Sequence, residues 1–110
     1  MIFVTGPLYA GKAEYIQKAL SLDDAAFAAC SARDVQELVP CDDLEALADK
    51  LAAHRVVIAT ELGGGVVPMD AMQRQKREQA GRLACLLARR ADTVIRVCCG
   101  LPELLKGEWP

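Results

Sequence analysis

A three-layer α/β domain, built on a mostly parallel sheet of about five strands, is the fold that this sequence predicts. Three observations point to it. Short apolar runs alternate with helical periodicities along the chain. The run Val56-Val57-Ile58-Ala59-Thr60 is apolar enough to be a strand covered on both faces. The run Ile2-Phe3-Val4-Thr5 leads straight into a loop bounded by glycines and then into a helix.

The first strand is expected at about residues 2–5, followed by the loop Gly6-Pro7-Leu8-Tyr9-Ala10-Gly11-Lys12-Ala13 and a helix to about residue 21 with Ile16, Ala19 and Leu20 at helical spacing. Ala26–Cys30 and Val35–Val39 each read as a short strand, the second stopped by Pro40. Asp42 followed three residues later by Glu45 resembles a capping box, and Leu44, Leu47, Ala48 and Leu51 line one face of the helix it would start. Arg55 leads into the buried strand at residues 56–60, and Gly63-Gly64-Gly65 supplies a loop. A long helix should run from about Asp70 to Arg90, packed through Leu83, Leu86 and Leu87, before a final strand at about Thr93–Cys99. No internal repeat, linker or low-complexity segment interrupts this order, so residues 1–110 read as one domain.

The Gly6–Ala13 stretch has the spacing of a phosphate-binding P-loop, which refines the fold to a P-loop NTPase-like domain. Glycine lets successive backbone N–H groups curl around a phosphate at a helix N-terminus. Lys12 would bring its ammonium to the β- and γ-phosphates. A Ser or Thr hydroxyl ordinarily ligates Mg²⁺ at the next position, and Ala13 has no oxygen to offer. In a parallel sheet, ligands bind at the carboxyl ends of the strands. Glu61 ends the 56–60 strand at that same edge, where its carboxylate could hold Mg²⁺ or accept a proton; a solvated strand-end residue is the plainer alternative.

Composition sets bounds. Net charge is −2 and aromatics are 5% of residues, so neither a basic surface nor a row of stacking platforms argues for nucleic acid. Apolar runs are too short for a membrane span, and the expected location is cytoplasmic. The five cysteines lack a C-x-x-C spacing and read as small buried hydrophobes. His54, at the end of a helix, has an ordinary explanation in that helix's C-terminal dipole.

Thr60-Glu61-Leu62-Gly63-Gly64-Gly65-Val66-Val67-Pro68 resembles the "NEVGxGIVP" segment of the bifunctional adenosylcobinamide kinase/adenosylcobinamide-phosphate guanylyltransferase family of cobalamin biosynthesis. Glu78-Gln79-Ala80-Gly81-Arg82-Leu83 resembles that family's "GR" helix, Ala91-Asp92-Thr93-Val94 its "ADEV" strand entry, and Gly100–Lys106 its closing "GIPxxLK". The resemblance covers about residues 1–20 and 56–106. It implies a trimeric protein that binds ATP or GTP with Mg²⁺ and takes a cobinamide as substrate. Gly6, Gly11, Lys12, Glu61, Gly63, Gly65, Pro68, Gly81 and Arg82 match its pattern. From that match, Lys12 and Glu61 are the expected catalytic residues, Glu61 the metal-associated carboxylate, and Arg82 a nucleotide contact.

The chain also departs from the pattern. It is shorter between its first helix and Val56, the part that holds the family's guanylylated histidine, and His54 stands elsewhere in the order. Ala13, Thr60 and Ala84-Cys85 replace residues usual in the family. Guanylyl transfer is therefore not expected. Three readings stand: a reduced family member with nucleotide binding and slow kinase activity, a non-catalytic nucleotide or corrinoid sensor, and a structural subunit that binds no nucleotide.

Overall fold

The computed structural model describes residues 1–62 and 70–110, and the Gly63-Gly64-Gly65 loop lies outside the described residues. Five strands form one sheet: β1 (Ile2–Gly6), β2 (Ser31–Ala32), β3 (Val56–Thr60), β4 (Thr93–Cys98) and β5 (Leu101–Lys106), in the order β2-β3-β1-β4-β5. The first four neighbours run parallel, and β5 returns antiparallel beside β4. Gly6 pairs with Thr60 in the β1–β3 register, which brings the ends of the two expected site strands level with each other.

Alternation of side chains along each strand divides the interior in two. On one face Val4, Val56, Ile58, Ile95 and Val97 pack with Ile16 of α1 (Lys12–Ala19) and Phe27 of α2 (Asp24–Cys30). On the other, Phe3, Val57, Ala59 and Val94 pack with Ala48 and Leu51 of α3 (Leu44–Leu51) and with Leu83 and Leu87 of α4 (Ala71–Arg90). Every residue of β3 is buried, as its unbroken apolar run predicts. Leu83 and Leu87 are fully buried, and truncating either to Ala should cost about 2–5 kcal/mol. Arg90 pins the two helices of that layer together, donating to Glu45 at 2.6 Å and to Asp49 at 2.8 Å.

Several expectations need correction. Ala26–Cys30 lies in a helix, not a strand: the Asp23 side chain accepts the Ala26 N–H and caps α2. Alanine favours helix more than any other residue, and the run contains no β-branched residue to favour extension. The neighbouring strand is the short β2 that follows it. Val35–Leu38 is a 3₁₀ turn that buries Val35 and Gln36. The cap of α3 is Asp43, whose carboxylate accepts from Ala46 N, so the reciprocal Asp42–Glu45 box does not form. Thr93–Cys98 is followed by a further strand, β5, entered through a turn with Cys99 and Gly100 at positive φ. The cysteines are not core residues: Cys30 and Cys41 are half-buried, and Cys85, Cys98 and Cys99 are exposed.

Candidate functional site

The glycine-rich loop joins β1 to α1 at the carboxyl edge of the sheet. Gly6 has φ +154°, and a Cβ there would lie 2.1 Å from the Val97 carbonyl oxygen. No side chain fits between β1 and β4 at that point. Gly11, with φ +84°, is the left-handed residue that turns the loop into α1. Ala10 is buried, and its carbonyl accepts from Gly100 N at 2.8 Å, tying the loop to the turn between β4 and β5. Leu8 and Tyr9 are exposed on the outside of the loop.

Lys12 occupies the first position of α1 with 7% of its surface exposed, and its ammonium donates to the Pro7 carbonyl at 2.7 Å. Burial holds its pKa below the usual lysine value, opposed by the charges of Asp34, Glu61 and Glu14. A cavity of about 270 Å³ opens over the loop, with Gly11, Lys12 and Ala13 on one side and Arg33, Asp34 and Thr60 on the other. Asp34 and Arg33 follow β2, next to β3 in the sheet. Neither is signalled in the sequence by a motif. Their place at the site depends on a two-residue strand hidden behind an alanine-rich helix.

Glu61 reaches the same edge from β3. Its N–H donates to the Gly6 carbonyl at 2.9 Å, so the backbone after β3 is fastened to the end of β1. Its carboxylate receives two bonds from Arg96 of β4, at 2.7 and 3.0 Å, in the bidentate geometry that suits a guanidinium. The pairing raises the Arg96 pKa further above its ordinary value. Thr60 is buried beside Glu61, with its N–H donating to the Gln36 side chain at 2.9 Å. Thr60 and Glu61 also border a second cavity, of about 110 Å³, between the sheet and α4.

The donor set does not make a complete protein cage for Mg²⁺. Ala13 lacks the hydroxyl, Glu61 is committed to Arg96, and the carboxylates that line the loop cavity are Asp34 and Glu14. Among the described residues no group of three or more His, Cys, Asp or Glu could hold a metal ion.

The structure brings Gly6 through Ala13 and Glu61 together at one edge, and it sets Arg82 apart. Arg82 sits 3.9 Å from Glu78 and lines a groove between α3 and α4 that shares no residue with the loop cavity. His54 precedes β3, at the opposite edge of the sheet from the loop, with Nδ1 3.1 Å from the Leu51 carbonyl. Lys76, on the basic stretch of α4, is paired with Glu37 at 2.6 Å.

A glycine-rich strand–loop–helix closing on a buried lysine, with a carboxylate at the end of the adjacent parallel strand, defines an α/β protein of the P-loop type. Residues 27–105 match the family described as cobinamide kinase / cobinamide phosphate guanyltransferase. The chain belongs to that family. It is also 34% identical over 82 residues to the bifunctional adenosylcobalamin biosynthesis protein CobP of Pseudomonas aeruginosa, an alignment that takes in 64% of this chain and 47% of that protein. The chain thus spans about half the length of the curated relative that it matches. The loop at residues 6–13 lies ahead of the family match.

Proposed function

We propose that this chain binds ATP or GTP at the Gly6–Ala13 loop and serves cobalamin biosynthesis as a reduced member of its family, with slow phosphoryl transfer to a cobinamide and without guanylyl transfer. The observation that carries the proposal is the buried Lys12, held at a helix N-terminus over a cavity on the ligand-binding edge of the sheet. In this reading the loop N–H groups and Lys12 hold the phosphate chain, and Glu61 accepts the proton of the attacking hydroxyl once Arg96 is drawn aside. Mg²⁺ would neutralise phosphate charge there, held by the phosphates and Asp34.

The histidine chemistry is left out for a geometric reason. His54 lies a full strand length, roughly 16 Å for five residues, from the loop edge, and the sequence contains no other histidine. Assembly into a homo-oligomer, a trimer by family resemblance, and a cytoplasmic location belong to the same proposal. No described helix is long and apolar enough to cross a membrane.

The Glu61–Arg96 pair favours a second reading, in which the same loop binds nucleotide as a sensor and performs no transfer. Thermal unfolding with ATP, GTP or neither, for the wild type and Lys12→Ala, tests the binding step. A ligand at 100 times its dissociation constant adds about 2.7 kcal/mol. A rise in Tm that Lys12→Ala abolishes supports the proposal, and no rise with either nucleotide rejects it. Phosphorylation of cobinamide by the wild type then separates the enzyme from the sensor.

A further inference from the structure

We infer that Arg33 is a second phosphate-binding cation of this site and that it takes over part of the charge neutralisation that Mg²⁺ performs in a P-loop carrying a hydroxyl after its lysine. The inference rests on the nucleotide-binding reading above and names how that site meets its ligand. Arg33, just after β2, and Lys12, at the start of the helix that follows β1, line the same cavity, with β3 between the two strands. A triphosphate lying across the mouth of the cavity meets one cation on each side.

The Arg33 guanidinium lies over the Phe27 ring, 5.9 Å from its centroid. Phe27 is itself buried in the core, so it is a fixed platform. A cation over an aromatic ring is attracted without using its N–H donors, which stay available to an anion. Among the described residues Arg33 has no carboxylate partner, whereas Arg90, Arg96 and Lys76 are each paired. A guanidinium presented in this way suits a phosphate, whose oxygens accept two parallel bonds.

The charge balance of the cavity gives Arg33 its importance. Asp34 and Glu14 line the same space and offset Lys12. Ala13 offers an ion no oxygen, and the Glu61 carboxylate is occupied by Arg96. With Arg33 the cavity's two cations balance its two carboxylates, where Lys12 alone would leave it net negative.

The test is titration of the wild type, Lys12→Ala, Arg33→Ala, Arg33→Lys and Asp34→Asn with GTP and with inorganic triphosphate, in Mg²⁺ and in EDTA, with circular dichroism to confirm that each variant is folded. The wild type should bind in EDTA, and Arg33→Ala should lose about tenfold in affinity there and less in Mg²⁺, the scale of one charge-assisted hydrogen bond. Arg33→Lys should fall between the two. A merely structural loss of the Phe27 contact would weaken binding equally in both buffers. The inference is overturned if Arg33→Ala binds as the wild type does while Lys12→Ala does not bind, or if binding vanishes in EDTA and depends on Asp34 alone. If the wild type binds neither probe in either buffer, the nucleotide-binding reading itself fails and the inference falls with it.

Discussion

Glu61 and Arg96 face each other across the end of β1, one at the end of β3 and the other on β4, joined by two hydrogen bonds of 2.7 and 3.0 Å. The carboxylate that family resemblance marks for metal or proton handling is thereby neutralised by a partner 35 residues along the chain. Replacing Arg96 with Met should release it. Nucleotide binding should then become more dependent on Mg²⁺ than in the wild type, measured by paired titrations in Mg²⁺ and EDTA. Tm should fall as well, and by less at high salt, because both side chains are partly exposed and the pair is screened.

Ala13→Ser should return the missing ion ligand to the loop. The expected result is roughly tenfold tighter nucleotide binding in Mg²⁺ and no change in EDTA. Equal gains in both buffers would mean that the new hydroxyl acts on the phosphate directly.

Gly6→Ala should be among the most damaging single changes available. The added methyl meets the Val97 carbonyl oxygen at 2.1 Å, and relief requires separating two paired strands. A loss of about 3 kcal/mol is expected in urea unfolding. Gly81→Ala is the matched control, since a Cβ there meets nothing within 4 Å.

The lowered pKa of Lys12 has a definite sign in stability. Its folded pKa lies below the reference value of 10.5, so the unfolded chain binds the proton more tightly. Stability from this group is fully present above pH 10.5 and is lost as pH falls toward the folded pKa, which leaves a penalty at neutral pH. Lys12→Met should therefore remove the part of the rise in Tm with pH that belongs to this window. Melting curves for both proteins from neutral pH to about 10.5 would read it, and parallel profiles would contradict it.

His54→Asn should leave nucleotide binding unchanged, because the ring lies at the far edge of the sheet and hydrogen-bonds to Leu51. Incubation of the wild type with labelled GTP should yield no covalent GMP adduct after denaturation. An adduct lost in His54→Asn would restore guanylyl transfer to this chain.

The parts of the fold legible in the sequence are those whose signal is local. β1, β3, β4, α3 and α4 follow from apolar runs and helical stripes, and the loop at Gly6–Ala13 follows from glycine spacing. Residues 24–38 carry a weak signal because five residues of Ala, Phe and Cys have no period, and what marks the helix is the Asp23 cap rather than the run itself. β5 carries no strand signal, since its residues are mostly exposed and Pro102 speaks against a strand; an edge position tolerates both. At the site, Lys12 and Glu61 could be read from motifs. Arg33, Asp34 and Arg96 could not, because sheet order alone brings them to that edge.

The hydrogen bond from Gly100 to Ala10 makes the Gly6–Ala13 loop a part with two pieces. Moving residues 6–13 into another scaffold would transplant the sequence of the site without the support that fixes its middle. The turn at Cys99–Gly100 has to travel with it, and insertions that lengthen that turn should be tolerated as poorly as insertions in the loop.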